Sequence, residues 1–204
     1  MQKHIFHVVL TLYYHKIRNF VTLLILEMTE NISTLQEYAM RYGTAMGIFW
    51  ACKFVLFPLG MNIPLLLVFF FILTLAVPVL GYVFARKYRE QQCEGTLNFS
   101  KAYIFTIFMY MFASLLVAVI HYLYFRYMDN GLIVNTYQGM IDQITAISTE
   151  EMKVSLDQFS KALDVISSLT PLEITMQLLT QNVFYCSMLA IPTALLVMRN
   201  KKKQ

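Results

Sequence analysis

The run Ile63–Ala85 has 23 residues without a charged side chain, and Arg86-Lys87-Tyr88-Arg89 follows it at once. A helix rises about 1.5 Å per residue, so a run of this length spans the roughly 30 Å hydrocarbon core of a bilayer. The basic cluster marks the end that stays in the cytoplasm. Every other segment can be oriented from this one.

Composition points the same way. Hydrophobic residues make up 58% of the 204 and charged residues only 14%, where a soluble domain carries about 25% charged. The length suits one domain. The net charge is +4, but the basic residues flank apolar runs instead of forming a patch with exposed aromatics, which argues against a nucleic-acid partner. Cys52, Cys93 and Cys186 are far apart, with no CxxC and no Cys/His pairing. Neither a metal site, a disulfide framework nor a cofactor is expected from them.

Three further spans can be read. Tyr42–Phe57 is short and contains Lys53; it lengthens backwards to about residue 40, with Arg41 snorkelling to the interface. Gly43, Gly47 and Ala51 recur every four residues in it, a small-residue stripe that lets another helix approach closely. Pro58–Asn62 reads as a tight turn into the second span, where Pro64 suits a first helical turn and Pro78 implies a kink eased by Gly81. Arg86–Lys101 reads as a polar loop, with an N-cap before the third span at Ala102–Phe125. That span closes on aromatic residues from Tyr122 to Tyr127, as expected at a headgroup boundary. Ile174–Met198 is the fourth span, polar in its first half through Gln177, Thr180, Gln181 and Asn182.

The fold class predicted is all-α: a four-helix membrane bundle with spans at about 40–57, 63–85, 102–125 and 174–198, and a helical loop at 126–171. Two helices are expected in that loop. Tyr137, Ile141, Ile144 and Ile147 line one face of the first. Met152, Leu156, Phe159, Leu163 and Ile166 form a heptad-type seam on the second, opened by a capping box pairing Ser148 with Glu151. Asp129 and Asp142 read as solvated. The hairpin itself accounts for the seam; a helix that binds a partner is the sharper alternative.

Residues 1–27 stand apart from the single membrane domain of 28–204. One reading is an upstream extension, with translation starting at Met28. Another is an amphipathic surface helix carrying Lys3, Lys16 and Arg18 towards anionic lipid. A signal peptide fits less well, because the apolar run Phe20–Leu26 is short and no small-residue cleavage site follows.

Charge sets the orientation. Arg86, Lys87, Arg89 and Lys101 lie after the second span, and Arg199, Lys201, Lys202 and Lys203 after the fourth. The turn after the first span has no charge, and the long loop after the third is net acidic. Both termini are therefore expected inside, with Arg86, Lys87, Arg89, Arg199 and the three terminal lysines as cytoplasmic anchors.

Several segments together resemble a known family. They are Phe84-Ala85-Arg86-Lys87-Tyr88-Arg89, Gly95-Thr96-Leu97-Asn98-Phe99-Ser100-Lys101-Ala102 and Tyr122-Leu123-Tyr124-Phe125 with Asp129. With Arg41-Tyr42-Gly43, Met140 and Met152, they resemble the bacterial membrane family called domain of unknown function 4199. The likeness runs from about Asn31 to Lys203. It implies four helices in an inner membrane and supplies no functional residues.

No catalytic constellation is present: no GxSxG, no HExxH and no phosphate-cradling glycine loop. An enzyme is not expected. A membrane-embedded interaction or accessory protein is the leading reading, with the bilayer and either a second copy or another membrane protein as partners. The alternative is a small transporter, or a protein that binds an anionic lipid or small acid. For that alternative the candidate residues are Lys53, His121, Gln181 and Asn182, three helices bringing polar groups to one layer roughly 7–12 Å below the outer edge. They would form a shallow outward-facing pocket. Independently, Lys53 and His121 could each snorkel to the surface while the amides bond neighbouring helices.

Overall fold

A computed structural model describes residues 34–199. The chain divides into two compact units, residues 1–38 and 39–204, and the bundle described below is the second. Residues 1–27 and the anchors Lys201, Lys202 and Lys203 lie outside the described residues.

The fold is all-α. Its helices are α1 (Thr34–Gly60), α2 (Pro64–Gln92), α3 (Phe99–Tyr127), α4 (Leu132–Ile147), α5 (Glu150–Ser168) and α6 (Pro171–Val197). Helices α1, α2, α3 and α6 have 27, 29, 29 and 27 residues and are apolar enough to cross a membrane. The chain is a multi-pass membrane protein, with four such helices among the described residues. At about 1.5 Å per residue each is some 40 Å long, so each outruns the ~30 Å hydrocarbon core.

The helices therefore extend beyond the apolar runs. Helix α1 continues through Pro58 to Gly60, so the expected five-residue turn shrinks to Met61 and Asn62, closed by Met61 N–H donating to Pro58 O at 3.3 Å and Ile63 N–H to Leu59 O at 3.1 Å. Helix α2 runs seven residues past Ala85. Arg86 donates to Glu90 one turn on, at 2.8 Å, and Tyr42 Oη donates to Gln91 at 2.8 Å, so polar contacts carry the helix into water. The expected loop is reduced to Cys93–Asn98. Asn98 does cap α3, accepting from the backbone N–H of Lys101 at 2.9 Å.

Helix α3 is the centre of the bundle. Its buried positions include Ala102, Phe105, Met109, Tyr110, Ala113, Val117, His121 and Tyr124, a stripe wide enough for neighbours on two sides. It packs extensively against α6. On its other flank it meets α1, where Gly43 and Gly47 come close enough that an added Cβ would stand 2.7 Å from Met109 O and 2.9 Å from Leu116 Cδ1 respectively. Ala51, the third residue of that stripe, is half-buried. Helix α2 is buried only towards its basic end, at Val77, Gly81, Ala85 and Tyr88. Tyr88 stacks on Phe105 at 4.1 Å, and Gly81 is where α2 meets the Tyr110 hydroxyl.

The loop at 126–171 forms the expected pair of helices, with two differences. The capping box is not at Ser148: Thr149 is the N-cap of α5 and makes no side-chain cap bond, while Ser148 Oγ donates back to Ile144 O. A capping box sits instead at the start of α6, where Thr170 and Glu173 bond reciprocally. Nor is Asp129 solvated. It is 9% exposed, accepts from Tyr124 Oη at 3.0 Å and receives the backbone N–H groups of Gly131 and Ile133. A carboxylate there satisfies donors at the start of α4, next to a left-handed Gly131 with φ of 78°.

Candidate functional site

The inward face of α1 repeats at helical spacing: Ala39, Gly43, Met46, Trp50, Lys53 and Phe57. The first four are buried and the last two half-buried. Lys53 thus belongs to the bundle-facing row, one turn beyond Trp50. Its ammonium lies 5.1 Å from the centre of the Phe70 ring of α2. Such a contact attracts a cation, though it supplies no hydrogen-bond acceptor. Among the described residues none of the ion pairs includes Lys53.

His121 of α3 is brought to the same place. Phe54, beside Lys53, meets the imidazole edge-on at 4.3 Å and Tyr124 at 5.3 Å. His121 is 7% exposed, and its Nδ1 is buried without a hydrogen-bond partner. Lys53 and Phe54 are consecutive on α1, so the cation and the imidazole that Phe54 meets lie at one level of the bundle. Three helices therefore contribute to one locus: Lys53 and Phe54 of α1, Phe70 of α2 and His121 of α3.

The two amides fare differently. The bundle-facing row of α6 is Thr175, Leu179, Asn182, Cys186, Ala190, Thr193 and Val197. Asn182 is on this row and half-buried, while Gln181, one residue earlier, is exposed. Cys186, one turn further along from Asn182, is buried.

Deeper in the bundle, Trp50 stacks on Tyr110 with ring centres 6.0 Å apart, and both Trp50 Nε1 and Tyr110 Oη are buried without a partner. Buried polar groups are normally satisfied, each lapse costing about 1–3 kcal/mol. The aliphatic hydroxyls of Thr74, Thr106 and Ser114 are satisfied, each donating to the carbonyl four residues back. Arg89 Nε, on α2, is the fourth buried atom without a partner, beside Trp50 Nε1, Tyr110 Oη and His121 Nδ1. Chemically the locus offers a fixed cation and an imidazole. Among the described residues there is no cluster of three or more groups able to hold a metal ion.

At the basic end, Arg89 Nη1 donates to Val197 O at 2.8 Å, closing α6 against α2. Arg86 and Lys87 are exposed there, as is Arg199. Leu97 and Arg199 exchange two backbone hydrogen bonds of 2.9 and 2.8 Å.

No curated protein and no solved structure matches the chain. A family model does, over residues 41–199, from Arg41 beside the Gly43 stripe to the Arg199 bridge. The match takes in α1 from Arg41 onwards, the other three long helices and the hairpin, and by it the chain belongs to the family described as protein of unknown function, DUF4199.

Proposed function

We propose that the chain is an interaction or accessory protein of a bacterial inner membrane, with both termini in the cytoplasm. The observation that carries the reading is the seam of α5. Leu163 is covered, to 6% exposure, and Leu156 is half-buried, while Met152, Phe159 and Ile166 stay 51%, 53% and 40% exposed. Those three recur every seven residues along one line. A row of that spacing suits a second helix laid alongside it. It lies in the hairpin outside the apolar spans, so lipid tails do not account for it. The partner's helix would carry its own apolar row. The test is a photoreactive benzoylphenylalanine at Phe159, irradiated in intact membranes before gentle extraction. One discrete cross-linked species, lost when the probe is moved to exposed Gln158, supports the reading. Cross-linking only to lipid, or equally from both positions, removes it.

A second reading is favoured by Lys53. An intramembrane cation without a carboxylate partner commonly faces a ligand or a water-filled cavity. The support for an anion-binding pocket, with or without transport, is the pairing of Lys53 with the unsatisfied His121.

A further inference from the structure

Resting on that second reading, we propose that the Lys53–His121 locus is a phosphate-binding site, entered sideways from the bilayer, in which the Lys53 ammonium and His121 Nδ1–H both donate to phosphate oxygens. Three observations converge on it.

The first is that both donors are unspent. Lys53 meets only the face of Phe70, and His121 Nδ1 has no partner although the residue is more than nine-tenths buried. Asp129, the acidic residue just after α3, is already engaged by Tyr124, Gly131 and Ile133. A desolvated cation needs an opposite charge, and a buried imidazole nitrogen needs a bond. One oxyanion supplies both.

The second is depth. Lys53 is seven residues from the end of α1 at Gly60, and His121 six from the end of α3 at Tyr127. At about 1.5 Å per residue these are roughly 10 and 9 Å below the helix ends. Helices of some 40 Å overshoot a ~30 Å core by about 5 Å at each end. Both Cα atoms then sit a few ångströms inside the core, and the lysine stem reaches its boundary, where lipid phosphates lie.

The third is the side of access. Lys53 is half-exposed, and its neighbours Cys52 and Val55 are exposed, as is Phe69 beside Phe70 on α2. In a bilayer those surfaces face acyl chains. A lipid can thus present its phosphate at Lys53 without leaving the leaflet. Free phosphate has the same recognition chemistry, and the experiment separates the two sources.

The full chain is purified in a maltoside, which has no phosphate. Its melting temperature is measured with phosphatidylglycerol, inorganic phosphate, acetate, or diacylglycerol of matched chains. We expect a rise with a phosphate compound, lost in Lys53→Met, reduced in His121→Phe and retained in Lys53→Arg. Trp50 is the sole tryptophan and stands one turn from Lys53. Quenching of wild-type Trp50 by brominated phosphatidylglycerol beyond that by brominated diacylglycerol identifies the lipid, and needs no variant to fold. A rise with inorganic phosphate but no excess quenching identifies the soluble anion. A rise with acetate equal to or above that with phosphate overturns the phosphate assignment while an anion pocket stands. No rise with any anion, or a rise that persists in Lys53→Met, overturns the site and the pocket together.

Discussion

Gly43→Ala is expected to weaken the bundle although alanine is the better helix former. The new Cβ would stand 2.7 Å from both Met109 O and Phe112 Cβ, where ordinary contact begins at 3.4 Å. The gap is short by about 0.7 Å on both sides of the contact (3.4 against 2.7). Neither neighbour is the free end of a side chain: one is backbone and the other is fixed to it. Helices α1 and α3 must therefore part, and overpacking of this kind costs about 1–3 kcal/mol. Against it, alanine favours a helix over glycine by about 1 kcal/mol. The net expectation is a loss of about 1 kcal/mol, with the close Trp50–Tyr110 stack disturbed one to two turns away. Gly139 of α4 is the control, because a Cβ there meets nothing within 4 Å. Gly139→Ala should stabilise by about 0.5–1 kcal/mol. The assay is reversible unfolding in mixed micelles, read by Trp50 fluorescence for the bundle and by circular dichroism for all helices. If Gly43→Ala unfolds at or above wild type, or Gly139→Ala falls as far, the close approach of α1 to α3 is wrong.

The hairpin provides a sharper pair. Leu163→Asp buries a carboxylate against α4 and should cost about 3 kcal/mol or more, opening the hairpin to protease, whereas Phe159→Asp on the exposed row should stay within about 0.5 kcal/mol; equal damage from both would mean the covered face is misassigned. For orientation, a green fluorescent reporter after Gln204 should glow and an alkaline phosphatase fusion at Gln138 should be active, and a dark terminal reporter would overturn the placement of both ends.

The long helices were legible because lipid leaves so few solutions. An uncharged run such as Ile63–Ala85 must pair its own backbone, and a helix does so locally. Helix ends were less legible, since they depend on partners distant in sequence. Nothing near Gln91 announces that Tyr42 will bond it. The hairpin was legible as a pattern but not as burial, for a related reason. A heptad pattern tells which residues share a line, while the number of neighbouring helices decides how many are covered. In α5 Leu163 is covered and Phe159, on the same seam, is left out. Asp129 looked like a loop acid because its worth lies in the three donors folded around it. Lys53 and His121 were visible as charged or polar interruptions of apolar runs. Their meeting at Phe54 follows from how α1 and α3 are rotated, which no local pattern encodes.

The short bridge between Leu97 and Arg199 bears on how the protein is assembled. Helices α3 and α6 present small residues to the bundle, among them Ala102, Ala113, Ala190 and Ala194. Smooth surfaces of that kind tolerate sliding, and a slip of one turn is about 5.4 Å. The paired backbone bonds at Leu97, with Arg89 gripping Val197 O beside them, act as an axial stop. The stop joins the turn before α3 to the residue two past the end of α6, so it sets the register of that pair from outside the apolar face and leaves the face itself free of polar groups for the purpose.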